Sequence, residues 1–279
     1  VNHSEAKLLF VGDVVWENLD ETAMPDLEGV ILLNDFSVLV SRNEKLTGAR
    51  LNLNALFGKK FPMNFRKEHV SYYKDQPDEL LVLNYTSGST GFSKGVMLPA
   101  RSIWSNIQFG HEKLGKCLKA GDSIVSMLPM AHMYGLAFEF LYEFCYGCHI
   151  YFLTRMPSPK IILQAFAEVK PKLVIAVPLI IEKIVKKNVL PKLETPTMKF
   201  LMKVPLLNDK IKAKVREQMM AAFGGEFYQI IVGGAAFNQE IESFLRSINF
   251  PYTVGYGMTE CGPISSYDDW SQFKAGSCA

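Results

Sequence analysis

The residues from Thr86 to Lys94 read Thr-Ser-Gly-Ser-Thr-Gly-Phe-Ser-Lys, and five of the eight from Thr86 to Ser93 carry a hydroxyl. Gly88, Gly91 and Gly95 punctuate the run, and Lys94 sits just before the last of them. Glycine lets a backbone enter positive φ and turn its N–H groups toward one point. Successive N–H groups so turned form an anion-binding concavity. Thr86, Ser87, Ser89 and Thr90 add hydroxyl donors and Lys94 adds positive charge, so the chemistry on offer is that of a polyphosphate cradle. A polar linker is the plain alternative, but linkers are not ordinarily inserted between an apolar strand such as Leu80–Leu83 and an amphipathic helix. The spacing excludes two common cradles. Lys94 is followed by Gly95, which breaks the G-x-x-x-x-G-K-[ST] pattern, and Ser89 and Thr90 separate Gly88 from Gly91, which breaks G-x-G-x-x-G.

Three more constellations follow short apolar runs, where ligands collect in open α/β sheets. In Tyr252–Glu260, Tyr256 stands between Gly255 and Gly257, and Met258, Thr259 and Glu260 come next. The carboxylate is a hard oxygen ligand suited to Mg²⁺, and the ring can stack on a base. In Val232–Ala236, Gly233, Gly234 and Ala235 would let a flat ligand approach the backbone, although tight helix–strand packing asks for the same residues. In Leu128–Gly135, His132 lies between a strand pattern and a helix pattern, a position that suits a cleft. A lone histidine among apolar residues is otherwise a core residue with its hydrogen bonds satisfied.

The string Tyr85-Thr86-Ser87-Gly88-Ser89-Thr90-Gly91, two variable positions, then Lys94-Gly95-Val96 resembles the phosphate-binding loop of the adenylate-forming enzymes. That superfamily includes acyl-CoA synthetases, luciferases and the adenylation domains of peptide synthetases. Ser93 is a departure, because the family usually carries proline there; the change loosens one corner without removing a ligand group. The resemblance implies that Thr86, Ser87, Gly88, Ser89, Thr90, Gly91 and Lys94 grip the β- and γ-phosphates of ATP. It implies that Gly233, Gly234 and Ala235 lie on one face of adenine and Tyr256, with Gly257 and Met258, on the other. Thr259 would bond the α-phosphate, Glu260 would hold Mg²⁺ together with Thr86, and His132 would position the carboxylate being activated. The segments Leu128–Tyr134 and Lys170–Ile184 are similar to those of long-chain fatty acyl-CoA synthetases more than to short-chain or amino-acid activators. The implied substrates are a fatty acid, ATP and coenzyme A, and the implied activity is that of a long-chain-fatty-acid–CoA ligase. Two other readings stay open: activation of an aryl or amino acid for a carrier-protein thiol, and a non-catalytic nucleotide-binding homologue.

The elements that must position these groups read as parallel β/α units, because short apolar runs alternate with longer helical patterns. Strands are expected at Lys7–Val11, Gly29–Leu33, Leu80–Tyr85, Ser123–Leu128, His149–Leu153, Leu173–Val177, Tyr228–Val232 and Tyr252–Tyr256. Helices are expected near Met97–Leu114, Leu136–Cys145, Pro159–Lys170, Pro178–Val189, Asp209–Phe223 and Gln239–Ser247. The expected fold class is α/β, with largely parallel β-sheets flanked by helices, in incomplete form. Residues 34–79 read as a peripheral, irregular excursion. The segment Leu136–Phe152 is rich in Phe, Leu and Tyr, which could line an apolar tunnel or fill the core.

Composition bounds the rest. The 279 residues carry 30 basic and 28 acidic side chains, a net charge of +2 that would not recruit nucleic acid. The longest apolar run, Leu173–Ile181, is interrupted by Pro178 and falls short of the roughly 18 residues of a membrane span. The lysines of Lys183–Lys192 read first as a solvated helix face and second as a membrane-surface contact. Five scattered cysteines suggest free thiols in a reducing, cytoplasmic setting, and the Cys145/Cys148 pair lacks a second pair at zinc spacing. The chain begins at Val1 and ends in Gly-Ser-Cys-Ala, without the family's Thr-Gly-Asp ribose motif or its lysine-bearing C-terminal domain. Residues 1–279 are therefore expected to be a partial adenylation domain, inactive by itself.

Overall fold

Strand runs that are apolar throughout, rather than alternating, demand cover on both faces, and the computed structural model supplies it. It describes residues 1–87, 91, 93–155, 157–201 and 203–278. The chain forms two units, Val1–Asp75 and Gln76–Ala279. In the second, β8 (Leu173–Ala176), β9 (Gln229–Val232) and β10 (Tyr252–Val254) make a parallel sheet with β9 in the middle. Val174, Ala176, Ile230 and Val232 face a core built on Phe166, Ile181 and Phe223. Leu173, Ile175 and Ile231 face a second core containing Leu118, Phe138 and Tyr142. Full burial of each such aliphatic side chain contributes about 1.5–3 kcal/mol, so both helical layers are needed to hold the strands.

The flanking helices begin where their caps dictate. Ser158 accepts from the Ile161 N–H and Pro159 takes the first helical position of Pro159–Val169. Asn238 accepts from the N–H groups of Glu240 and Ile241 and starts Gln239–Ser247. Pro178–Asn188 and Pro205–Ala222 complete the longer helices near those expected. Another parallel pair, β6 (Ser123–Ser126) with β7 (His149–Phe152), lies in the same unit. The residues between them, Met133–Tyr146, are helical but contain one wide π-type turn at Ala137–Leu141.

Two expectations are corrected. The helix expected from Met97 begins at Ala100, and Ser93–Pro99 is a strand, β5, antiparallel to β4 (Leu80–Ser87). The physical reason is Pro99, which excludes the helical conformation from the residue before it and cannot sit inside a helix. Residues 34–79, expected to be irregular, contain β3 (Val38–Ser41) and the helices Glu44–Leu51 and Leu53–Lys60. In that first unit β1 (Leu8–Val11) runs parallel to β2 (Gly29–Leu32), which pairs antiparallel with β3 over a small core of Val11, Met24, Leu27 and Val30. The two helices bury none of their own side chains, which is why no apolar period marked them in the sequence. A last antiparallel pair, β11 (Tyr256–Gly257) and β12 (Ile264–Ser266), follows β10. All five cysteines are unpaired, and among the described residues no helix is long and apolar enough to cross a membrane.

Candidate active site

The end of β4 and the turns after β6, β9 and β10 border one cavity of about 360 Å³. Thr86 and Ser87 reach it from the end of β4, and His132 and Tyr134 from the turn after β6. Gly233 and Gly234 border it after β9, and Gly255 after β10. Tyr256, Gly257, Met258, Thr259 and Glu260 form the wall opposite, backed by Ile231, Pro263 and Ile264. Most of the expected site residues thus meet from four separate regions of the chain. A larger cavity of about 400 Å³, among Leu163, Ile184, Met219 and Phe223, is mainly apolar and contains none of them.

The remaining expected residues fall outside that lining. Gly88, Ser89 and Thr90 lie outside the described residues. Gly91 adopts φ +86°, the left-handed region that glycine tolerates. Lys94 is exposed and pairs across the β4–β5 ladder with Thr86. Directly opposed residues on antiparallel strands project to the same face, so the ammonium leaves the hairpin on the side where Thr86 borders the cavity. Ala235 is exposed one residue beyond Gly234.

His132 caps the following helix by accepting the Tyr134 N–H on Nδ1 at 3.2 Å. A neutral imidazole that accepts at Nδ1 carries its proton on Nε2, which leaves a donor on an exposed ring at the cavity edge. The Asn84 side-chain amide donates to the Ala131 carbonyl at 2.8 Å and ties this turn to β4. Tyr134 is buried and donates its phenol hydrogen to the Ile231 carbonyl at 3.1 Å. Burial pushes its ionisation far above the usual tyrosine range, so it acts only as a neutral donor. Its ring explains Gly233: a Cβ there would stand 3.1 Å from the ring carbon bearing the hydroxyl. Gly234 has φ +87°, again a glycine conformation.

Asn106 holds the opposite wall. It is 4% exposed, and its Nδ2 donates to the carbonyls of Ser102 at 2.8 Å and Cys261 at 3.0 Å. Its Oδ1 accepts from the Ile264 N–H at 2.8 Å. One side chain therefore fixes Cys261 and Ile264, on either side of Gly262–Pro263, directly after the turn that carries Thr259 and Glu260. Sequence reasoning passed over Asn106 and Tyr134. The signal for Asn106 was present: Ile103, Asn106, Gly110 and Leu114 form the buried stripe of Ala100–Leu114, and a polar residue within an apolar stripe asks for buried partners.

The cavity lies at strand ends and is bordered by small residues, an aromatic ring, hydroxyls and one carboxylate, the groups that the resemblance assigns to the nucleotide site of an adenylate-forming enzyme. The sequence profile described as AMP-binding enzyme matches residues 1–279, and the chain belongs to that family. It is 31% identical over 212 residues to long-chain-fatty-acid–CoA ligase 4 of Saccharomyces cerevisiae, covering 70% of this chain and 30% of the relative. It is 26% identical over 282 residues to long-chain-fatty-acid–CoA ligase 5 of Mus musculus, covering 93% and 40%. The chain thus spans less than half the length of either relative. Among solved structures it resembles a benzoate CoA ligase from Burkholderia xenovorans, with a TM-score of 0.64, 16% identity and coverage of 99% of this chain and 46% of that one. It also resembles apo MatB from Rhodopseudomonas palustris, with a TM-score of 0.63, 17% identity and coverage of 97% and 43%. Both likenesses concern the fold alone, a mixed α/β arrangement of several sheets and flanking helices.

Proposed function

We propose that this cavity holds ATP and the carboxylate of a long-chain fatty acid, and that the intact protein joins the acid to coenzyme A. The observation that carries the reading is the meeting of Thr86, His132, Gly233, Tyr256, Thr259 and Glu260 around one cavity. Adenine lies between the Gly233–Ala235 backbone and the Tyr256 ring, with the Tyr134 ring packed against Gly233 where a side chain would stand. The β- and γ-phosphates are gripped by residues of the run from Thr86 to Lys94, and Thr259 donates to the α-phosphate. His132 offers Nε2–H to the acid's carboxylate. One carboxylate oxygen attacks the α-phosphorus, the bond to the β-phosphate oxygen breaks, and pyrophosphate leaves. The thiol sulfur of coenzyme A then attacks the acyl carbon; AMP departs and the thiol proton goes to solvent. Reactions of this kind depend on positioning and charge neutralisation, which is what these residues supply.

Mg²⁺ is held typically by one or two carboxylates together with substrate phosphates and water. Glu260 with the Thr86 hydroxyl is a donor set of that kind, and among the described residues no group of three or more His, Cys, Asp or Glu offers another. Bound there, the ion would neutralise phosphate charge. The long-chain preference rests on the resemblance of Leu128–Tyr134 and Lys170–Ile184, together with the names of the relatives. Because the chain spans less than half of each relative, we expect residues 1–279 alone to bind nucleotide and form no thioester.

The test is ATP–pyrophosphate exchange by the intact protein across saturated acids of increasing length, with aryl and amino acids alongside. Exchange should rise with chain length, and Glu260→Gln and Lys94→Ala should each lower it about 100-fold or more. Exchange with an aryl or amino acid in place of fatty acids would overturn the substrate class. Absence of exchange with every acid would overturn the enzymatic reading.

A further inference from the structure

The strand that leads to His132 leaves the sheet before it reaches the cavity. Its last ladder bond is the Ser126 carbonyl accepting from the Leu153 N–H at 2.9 Å. The next two N–H groups, Met127 and Leu128, are in the protein interior with no strand to accept them, and buried N–H groups must find acceptors. Both find the same atom. Oε2 of Glu139 accepts from Met127 at 2.9 Å and from Leu128 at 2.6 Å, and the Ser126 hydroxyl approaches it at 3.5 Å. Glu139 is itself fully buried, on the wide π-type turn Ala137–Leu141. Such turns insert an extra residue into a helix and are frequent near functional sites.

Burying a carboxyl group is costly, and burial pushes Glu139 up to about 8 even against the pull of these N–H donors. An apolar side chain would fill the same space without that cost. What an apolar side chain could not do is fasten the chain before the turn to the helix after it. Between those two points lie Pro129–His132, with the His132 N–H bonded back to the Pro129 carbonyl at 3.0 Å. Gly135 lets that carbonyl come close to the helix: a Cβ there would stand 2.7 Å from it. The turn is thus closed at its base by Glu139 and steadied near its tip by Asn84 on Ala131.

We propose that Glu139 is a positioning residue for the acid-binding step, acting through the turn that presents His132. The proposal rests on the reading of His132 given above. Freed of Glu139, Met127 and Leu128 lose their common acceptor and the turn changes its take-off, so the His132 ring no longer meets the carboxylate in one fixed orientation. Errors of about 1 Å in such placement cost up to about 100-fold. The nucleotide contacts of Tyr256, Thr259 and Glu260 belong to another wall and do not pass through this turn.

The experiment uses the intact protein and ATP–pyrophosphate exchange with a long-chain fatty acid. Glu139→Ala should lower kcat/KM for the acid about 10- to 100-fold while KM for ATP stays within about twofold. Glu139→Gln keeps one oxygen to accept both N–H groups and should recover most of the loss. In a His132→Ala background, Glu139→Ala should add less than about twofold, because the two residues act on one step. If Glu139→Ala does not fold, Glu139→Asp, which withdraws the carboxyl group by one methylene, should show the same selective loss. The proposal is overturned if the Glu139 and His132 effects multiply independently, if KM for ATP rises as much as that for the acid, or if Glu139→Asp behaves as wild type. Absence of exchange by the wild type would instead refute the enzymatic reading, which keeps the two failures apart.

Discussion

Replacing Asn106 with leucine isolates the side chain that braces the Thr259–Glu260 turn. Leucine has a similar volume, so packing of the buried stripe on Ala100–Leu114 is largely kept and the polar contacts are what is lost. Two of those contacts are tertiary, to the Cys261 carbonyl at 3.0 Å and from the Ile264 N–H at 2.8 Å. A net hydrogen bond contributes about 0.5–1.5 kcal/mol, and a partner left buried and unpaired costs about 1–3 kcal/mol. Cys261 and Ile264 are only partly buried, so water relieves some of that cost and the sum is about 2–4 kcal/mol. Urea unfolding followed by tryptophan fluorescence reads this directly. With a slope of about 3 kcal/mol per molar, the midpoint should fall by about 1 M. Asn106→Asp separates the atoms further, because it keeps the acceptor for Ile264 but turns a carboxylate against two carbonyls. It should be as unstable as the leucine variant at neutral pH and recover partly as pH falls, because burial against two carbonyls raises the pKa of the carboxyl and it takes up a proton early. A leucine variant within about 0.5 kcal/mol of wild type would show that the turn holds itself and that Asn106 is a bystander.

Gly233→Ala places a methyl 3.1 Å from the ring of Tyr134, whose hydroxyl is held by Ile231. Overpacking against that ring should lower the free energy of urea unfolding by about 1–3 kcal/mol, and an unchanged value would show that the Tyr134 ring gives way without cost. Asp269 is buried, which by itself would raise its pKa, but Lys116 at 2.8 Å, Ser271 and Tyr228 hold it down to about 2. Because the folded value lies below the ordinary value of about 3.9, the contribution is fully present above pH 4 and disappears as pH falls toward 2. Half the pair is exposed, so its worth is about 1–2 kcal/mol. Asp269→Asn should be less stable than wild type at pH 7 by that amount, with the gap closing on acidification; a gap that persisted at pH 2 would place the loss in packing instead.

The strands that carry the site were legible in the sequence because burial on both faces leaves a short, wholly apolar run with polar or glycine borders, as in Leu173–Ala176 and residues 230–232 of β9. The hairpin from Leu80 to Pro99 was half legible. Its first strand is plain, but its second, Ser93–Pro99, divides in the sequence into the end of a loop and, from Met97, the start of a helix pattern; Met97 and Leu98 fit either period and only Pro99 discriminates. The helices Glu44–Leu51 and Leu53–Lys60 were illegible for the opposite reason. Neither fully buries a side chain, and only Leu46 and Gly48 are half-buried, so no periodicity records them.

Sequence alone determined the residue types of the site and their order: hydroxyls, glycines and Lys94 in one run, then His132, then Gly233 and Gly234, then Tyr256 to Glu260. Those are local facts, set by which atoms a backbone turn and its side chains can offer a phosphate, a base or a carboxylate. Tertiary structure decided which of these residues share one cavity, and it named the residues that keep them there. Asn106 reaches Cys261 and Ile264 across more than 150 residues, Tyr134 reaches Ile231 across 97, and Glu139 gathers two N–H groups that have left the sheet. Such roles are invisible along the chain because they arise from a buried group's need for a partner, and only the fold says which partner is within reach.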